Sequence, residues 1–179
     1  MRGKLAVAAY AVILGNLPAV PAEAQEGPRA IDLADQGYLY CVRPNERRKT
    51  CRAIETFERL NEGVYGSTSL IAGGNGVSVE MYAPVWLVED AFCGAVREQD
   101  VMSAILRVNG REVGPQAAAP ALHQMLELLR PFIDREACTR YEPSGADFVA
   151  RTTFDGVHLP EFDEPVKVIS PTDGYRLAL

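Results

Sequence analysis

The sequence predicts an α+β domain, mainly an antiparallel sheet of short strands with one principal amphipathic helix packed on it and two disulfides. Short runs of strand-forming residues alternate with glycine-rich and asparagine-rich turns. One stretch, residues 116–134, carries apolar residues at helical spacing. Four cysteines complete the pattern. Together these features favour a sheet with one face covered by the helix.

The first 24 residues have the features of a cleaved secretory signal. Arg2 and Lys4 precede a run of about 13 mostly apolar residues, whereas a membrane span needs roughly 20. Ala22-Glu23-Ala24 is a small-x-small cleavage site, so the mature chain is expected to begin at Gln25. We therefore expect a periplasmic or secreted protein that does not span the membrane after cleavage.

The mature chain, residues 25–179, is acidic. The formal charge changes from −6 to −7 on cleavage, because Arg2, Lys4 and Glu23 are removed. An acidic chain repels phosphates, so we expect no nucleic-acid partner. We expect residues 25–36 to be a polar lead-in and residues 37–179 to form a single domain, since a chain of this length can bury one core.

The four cysteines are expected to form structural disulfides, because an exported protein meets an oxidising environment. Three pairings are possible. We favour Cys41 with Cys51, which flank a polar loop between two strand-like segments, and Cys93 with Cys138, which then close a longer loop. The spacing lacks Cys-x-x-Cys and the chain has only two histidines, so we expect neither a metal site nor a cofactor.

The first half of the domain reads as strands separated by turns. Residues 38–42, 50–58 and 64–71 are strand-like, and Gly73-Gly74-Asn75-Gly76 predicts a tight turn. Beyond the turn, apolar and polar residues alternate from Val77 to Ala83, which is typical of a half-buried strand.

The second half contains the predicted helices and a hairpin. Residues 98–104 are expected to form a short helix, and Asn109-Gly110 favours a type I′ hairpin turn. In the principal helix, Pro131 removes a backbone donor, so the last turn should be kinked or the helix should end early. Its apolar stripe consists of Ala118, Leu122, Met125, Leu126, Leu129 and Ile133.

The pattern returns to strands after residue 137. Phe148, Ala150, Thr152 and Phe154 should share one face of a strand, and residues 166–169 and 175–179 are further short runs. A small outer-membrane barrel is a rival architecture. The long helix and the absence of repeated ten-residue segments with aromatic ends argue against it.

No catalytic signature is evident, so the catalytic residues cannot be assigned from the sequence. His123 and Glu127 lie four residues apart on one helical face, and with Asp90 they are the candidates for a small exported hydrolase. An ordinary exposed helical face is the favoured interpretation of the first two, because no second His-x-x-x-His partner completes a site. Acidic groups such as residues 161–164 lack the spacing of a calcium loop.

The most unusual local composition is a basic loop within an acidic domain. Five of the ten residues from 43 to 52 are basic: Arg43, Arg47, Arg48, Lys49 and Arg52. If Cys41 is bonded to Cys51, these side chains form a rigid cationic tip for an anionic envelope component or a protein partner. A solvated turn whose charges keep an edge strand from pairing with other chains is the favoured interpretation, and the cationic tip is the best single hypothesis for a site.

Aromatic residues offer a second candidate binding surface, because amphipathic rings on a sheet face can line a ligand groove. Core packing explains them as well. They are Tyr38, Tyr40, Tyr65, Tyr82 and Trp86. The overall prediction is a non-enzymatic binding or accessory module, with the small hydrolase as the alternative.

Overall fold

The computed structural model describes residues 29–179, so the predicted signal sequence lies outside the described residues. Within that range the helices are α1 (Ala30–Asp35), α2 (Glu98–Met102) and α3 (Pro115–Leu129), with 3₁₀ turns at Arg130–Phe132 and Pro160–Phe162. The strands are β1 (Leu39–Val42), β2 (Thr50–Cys51), β3 (Ala53–Asn61), β4 (Val64–Gly74), β5 (Val77–Val88), β6 (Ala91–Ala95), β7 (Ile105–Val108), β8 (Arg111–Glu112), β9 (Glu136–Ser144), β10 (Asp147–Phe154), β11 (Val157–His158), β12 (Glu164–Ile169) and β13 (Arg176–Leu177). No helix in this part of the chain is long and apolar enough to cross a membrane.

Eight of these strands close into an antiparallel barrel. Their order is β4-β3-β1-β12-β10-β9-β6-β5, and β5 also pairs with β4, which joins the two ends of the series. The antiparallel pairing and the two disulfides agree with the sequence prediction. The predicted arrangement of one helix covering a sheet is not confirmed, because closure lets the sheet bury its apolar face against itself.

Side chains from every wall fill the barrel interior. Every second residue of each strand points inward, and Tyr40 of β1 and Phe57 of β3 both occupy such positions. Their rings are perpendicular, with centroids 5.1 Å apart. Phe92 and Tyr141 complete an aromatic centre, and Val166 is fully buried beside it. The alternation predicted for Phe148, Ala150, Thr152 and Phe154 follows the register of β10 with β9.

Helix α1 closes one end of the barrel. Ile31 and Ala34 are 6% and 3% exposed and belong to the barrel core. The Tyr40 hydroxyl donates to the carbonyl of Ala30. This helix lies in the segment that the sequence described only as a polar lead-in, where six residues are too few for a clear helical period.

Helix α3 packs in a separate apolar cluster on the first half of β5, on the same face of that strand that lines the cavity farther along at Ala83. Ala118 and Leu122 are buried together with Leu106 of β7, and the first half of β5 contributes to the same cluster. The helix ends at Leu129 and continues as a 3₁₀ turn through Pro131, as the proline predicted.

Two predicted turns are confirmed and touch each other. Asn75-Gly76 joins β4 to β5 and Asn109-Gly110 joins β7 to β8, with φ between 50° and 78° at all four residues. The Asn109 backbone N–H donates to the Gly76 carbonyl at 2.8 Å. A Cβ on Gly76 would lie 2.2 Å from Asn109 Oδ1, so this contact requires glycine.

Both favoured disulfides are present. Cys41 of β1 is bonded to Cys51 of β2, and the pair is fully buried with Ile169. Cys93 and Cys138 lie directly opposite each other on β6 and β9. This second bond therefore joins two neighbouring strands of the barrel wall from its outer side.

Candidate functional site

The barrel holds a cavity of about 150 Å³ at the end away from α1. Strand β6 shows the two ends: it begins beside Asp90, which pairs with Arg29 next to α1, and it ends at Ala95 in the cavity wall. The lining residues come from five strands and the residue after β6, and they are Glu55, Phe57, Ser67, Ala83, Pro84, Val85, Phe92, Gly94, Ala95, Val96, Ala137, Thr139 and Tyr141.

Aromatic rings form the apolar part of the cavity. Phe57 and Phe92 are stacked with centroids 3.9 Å apart and planes 3° from parallel. The Tyr141 ring lies edge-on to both, at 6.3 Å. Behind Phe92 the buried Tyr65 continues the core toward α1. The cavity thus has a flat, rigid aromatic wall.

Small side chains create the space. Ala83, Gly94 and Ala137 occupy lining positions on three strands, where larger residues would fill the interior. A Cβ on Gly94 would lie 3.1 Å from Val85 Cγ1 and 3.2 Å from the Pro84 carbonyl oxygen. Glycine therefore permits the close approach of β5 and β6 at the cavity wall.

A carboxyl and a phenol form the polar part of the cavity. The Tyr141 hydroxyl donates to Glu55 Oε2 at 2.6 Å. Tyr141 is buried, whereas Glu55 is half-buried because its side chain also lines the cavity. Ser67 and Thr139 add hydroxyls, and Thr139 Oγ1 is 3.1 Å from Thr152 Oγ1.

Desolvation raises the pKa of Glu55 above its ordinary value. The hydrogen bond from Tyr141 lowers this pKa in part, and the nearby charge of Glu164 raises it further. Burial and the neighbouring Glu55 also raise the pKa of Tyr141. Among the described residues that line the cavity, Glu55 is the one carboxyl and there is no Lys or Arg.

The structure divides the predicted cationic loop. Arg43 pairs with Glu164, and Lys49 Nζ donates to the Asp173 carbonyl at 2.8 Å. Arg47 and Arg48 lie together on the surface, and the loop closed by Cys41–Cys51 holds them.

The C-terminal strand adds a cation that the sequence did not indicate. Strand β13 pairs with β2 in parallel and places Arg176 opposite Thr50, in the same shallow groove as Arg47 and Arg48. We call Arg47, Arg48 and Arg176 the cationic surface. In the described residues 29–179, none of the three forms an ion pair. Arg52 is exposed and likewise has no ion pair within that range.

The residues considered for a hydrolase do not form one site. His123 Nδ1 is 2.8 Å from the Ala119 carbonyl oxygen within α3, and Glu127 pairs with Arg130. Asp90 pairs with Arg29 beside α1. Within residues 29–179, no cluster of His, Cys, Asp or Glu is arranged to hold a metal ion.

The predicted aromatic surface is also divided. Tyr40 and Tyr65 are fully buried in the barrel core, whereas Tyr82 and Trp86 are 52% and 43% exposed. Tyr82 lies against the backbone of Gly66, whose missing side chain leaves room for the ring.

Sequence reasoning missed Glu55 and Tyr141, which lie 86 residues apart in the chain. One signal was available, since Glu55 shares an alternating face with Phe57 in a strand-like segment. A carboxyl on an apolar face indicates a buried polar site, but its partner could not be identified without the strand order. Comparisons of this chain with protein-family models, curated proteins and solved structures find no match.

Proposed function

We propose that this protein is an exported, non-enzymatic binding protein that holds a small organic molecule in the barrel cavity. The observation that carries the proposal is the pairing of an aromatic wall, Phe57 with Phe92, and a convergent polar pair, Glu55 with Tyr141, in one cavity. Small-molecule sites have this composition, and the mouths of β-barrels are common places for them.

The size of the cavity sets the size of the ligand. An apolar protein cavity of about 150 Å³ accepts a molecule such as benzene. The volume here is about the same. We therefore expect a ligand with a single ring or a short branched chain.

The walls of the cavity favour binding because they are held in place before the ligand arrives. Continuous strand pairing surrounds the cavity, and Cys93–Cys138 links β6 to β9 beside Gly94 and Ala137. A preformed site loses little conformational entropy on binding. The polar side chains already have protein partners, Glu55 with Tyr141 and Thr139 with Thr152, which supports a binding role over catalysis.

Three benzene derivatives of nearly equal size test the proposal: benzylamine, benzyl alcohol and benzoate. We expect at least one to bind by isothermal titration calorimetry. The Ser67→Leu variant should abolish binding because the added side chain fills the cavity. Thr68→Leu is the matched control, since Thr68 is the next residue of β4 and faces outward. Absence of binding by all three probes, or binding that survives Ser67→Leu, would contradict the proposal.

Export rests on the predicted signal and is supported by the two disulfides, which persist in oxidising compartments. The test is the intact mass of the protein from the exported fraction, before and after reduction and alkylation. We expect a chain that starts at Gln25 and gains four alkyl groups only after reduction. Retention of Met1 with four free thiols would overturn the proposal.

The cationic surface supports a second binding function, toward an anionic component of the envelope. Three arginines, Arg47, Arg48 and Arg176, converge from two chain segments in a protein that is acidic overall. A loop held by Cys41–Cys51 and by the β2–β13 pairing presents two of them with little freedom to lose. Each basic side chain near an anionic lipid surface contributes about 1 kcal/mol.

Vesicles of phosphatidylglycerol, compared with vesicles of phosphatidylcholine, test this second function. We expect co-sedimentation with the first only, weakening about fivefold for each Arg→Gln change at Arg47, Arg48 or Arg176. Arg140→Gln is the control, because Arg140 already pairs with Glu89 elsewhere on the barrel wall. Equal binding to both vesicle types would contradict the proposal.

A further inference from the structure

We infer that the barrel cavity selects small organic cations, with an ammonium group at the Glu55 carboxylate and the carbon skeleton against Phe57 and Phe92. The inference rests on the proposed binding function and adds the chemical class of its ligand. It follows from the charges that surround Glu55 and from the aromatic wall beside it.

The groups that surround Glu55 are phenols and a carboxylate, and none of them carries a positive charge. From β9, Tyr141 donates its hydroxyl to Oε2. From β12 comes the carboxylate of Glu164, and from β1 the phenol of Tyr40. Glu164 is itself paired with Arg43. In the part of the chain that the structure describes, one oxygen of Glu55 therefore has a hydrogen-bond donor, and the side chain forms no ion pair.

A bound ammonium group supplies a positively charged partner for Glu55. In a site shielded from water, opposite charges attract more strongly than in bulk solvent. An ammonium group that lies over the face of one of the lining aromatic rings gains a further cation–π attraction. A carboxylate ligand finds no Lys or Arg among the described lining residues, and Glu55 repels it.

Binding of a cation should be linked to the protonation of Glu55. Because the pKa of this carboxyl is raised, the free protein keeps a proton there at pH values where an ordinary glutamate is already ionised. An ammonium ligand favours the ionised form, so its binding releases that proton. Affinity should therefore increase as pH rises through the Glu55 pKa, until the amine itself loses its charge.

The experiment compares benzylamine, benzyl alcohol and benzoate by isothermal titration calorimetry at pH 7.5. We expect benzylamine to bind at least tenfold more tightly than benzyl alcohol, and benzoate more weakly than either. Glu55→Gln should remove the preference for benzylamine, and Glu55→Asp should retain it. Glu58→Gln is the matched control, because Glu58 lies on the outward face of the same strand.

A second measurement uses only the wild-type protein. Titrations of benzylamine at mildly acidic pH, in buffers with different ionisation enthalpies, count the protons released on binding. We expect net proton release with benzylamine and none with benzyl alcohol. This readout remains decisive if Glu55→Gln does not fold.

The outcomes separate the inference from the proposed function. Equal binding of benzyl alcohol and benzylamine, both blocked by Ser67→Leu, overturns the cation preference and leaves the binding function standing. A preference that persists in Glu55→Gln also overturns the inference, as does benzylamine binding without proton release. Failure of all three probes to bind overturns both.

Discussion

The two ends of the barrel each contain a carboxyl–tyrosine pair, and the two pairs behave in opposite ways. At the end closed by α1, Asp35 accepts a hydrogen bond from Tyr65 at 3.0 Å and also pairs with Arg59. At the open end, Glu55 accepts one from Tyr141 and forms no ion pair within residues 29–179.

The pKa values of the two acids show the consequence. The pKa of Asp35 is lowered, first by its hydrogen bond with Arg59, whereas the pKa of Glu55 is raised, first by desolvation. At the closed end the carboxyl of Asp35 is paired with a guanidinium, whereas at the cavity end the carboxyl of Glu55 lacks a positively charged partner among the described residues. We regard that missing charge as the feature most relevant to function.

The largest effect is expected from removing the disulfide in the wall of the open end. Cys93–Cys138 bonds β6 to β9 beside the cavity-lining residues Gly94 and Ala137. Its 45-residue separation predicts a stabilisation of up to about 4 kcal/mol in the chain-entropy model. We expect the double variant Cys93→Ser with Cys138→Ser to lose much of this in urea denaturation. Removing Cys41–Cys51, with a separation of 10, should cost up to about 3 kcal/mol. A larger loss from the shorter loop would contradict this ranking.

Truncation of the helix that closes the other end should be nearly as costly. Ile31 is 6% exposed within the barrel core, so Ile31→Ala leaves a cavity and should lower the free energy of unfolding by about 2–5 kcal/mol. Chemical denaturation measures the loss. Leu128→Ala is the control, because Leu128 is 72% exposed and should change stability by less than about 0.5 kcal/mol. A similar, small loss in both variants would show that α1 does not contribute to the core.

Asp35→Asn should have a smaller, pH-dependent effect at the closed end. Because the pKa of Asp35 is lowered on folding, its stabilising contribution is present above its ordinary value of 3.8. That contribution is lost as pH falls through the lower pKa of the folded state. Thermal unfolding from pH 7 to pH 2 should therefore show the variant less stable near neutrality, with the two curves converging in acid. Parallel curves would exclude this role for Asp35.

Glu55→Gln should give the smallest change, and its sign is the reverse. Because the pKa of Glu55 is raised on folding, ionisation opposes folding as pH rises from the ordinary value of 4.5 through the raised one. The wild-type protein should lose stability across that interval relative to the variant. The same thermal unfolding series measures the difference, with Glu58→Gln as the exposed control. A constant difference between wild type and Glu55→Gln across this interval would mean that Glu55 titrates normally.

Local elements were predictable because their signals lie within a few residues. Asn109-Gly110 forms its hairpin turn, and α3 ends just before Pro131. The position of Cys41 and Cys51 on either side of a polar loop favoured one of three possible disulfide pairings, and that pairing is the one present. Short strands were recognised where apolar and polar residues alternate, as in β5 and β10.

The candidate site was harder to predict, since its members are distant in the chain. The basic residues 43–52 were recognisable in the sequence. The β2–β13 pairing, which places Arg176 beside Arg47 and Arg48, and the ion pair of Arg43 with Glu164 were not. The aromatic residues were grouped by residue type, but they do not lie on one surface: Tyr40 is buried and Trp86 is exposed.

The sequence alone determined the tight turns and the disruption of the main helix at Pro131, because each depends on backbone preferences within a few residues, whereas it favoured one of three disulfide pairings without deciding among them. Tertiary structure decided whether the sheet stays open or closes. Closure depends on the pairing of β4 with β5 while six other strands complete the circle. When the sheet closes, every second residue of each strand faces the barrel interior. Closure thereby places Glu55 beside Tyr141 in the cavity, because side-chain direction and strand order together decide which distant residues meet.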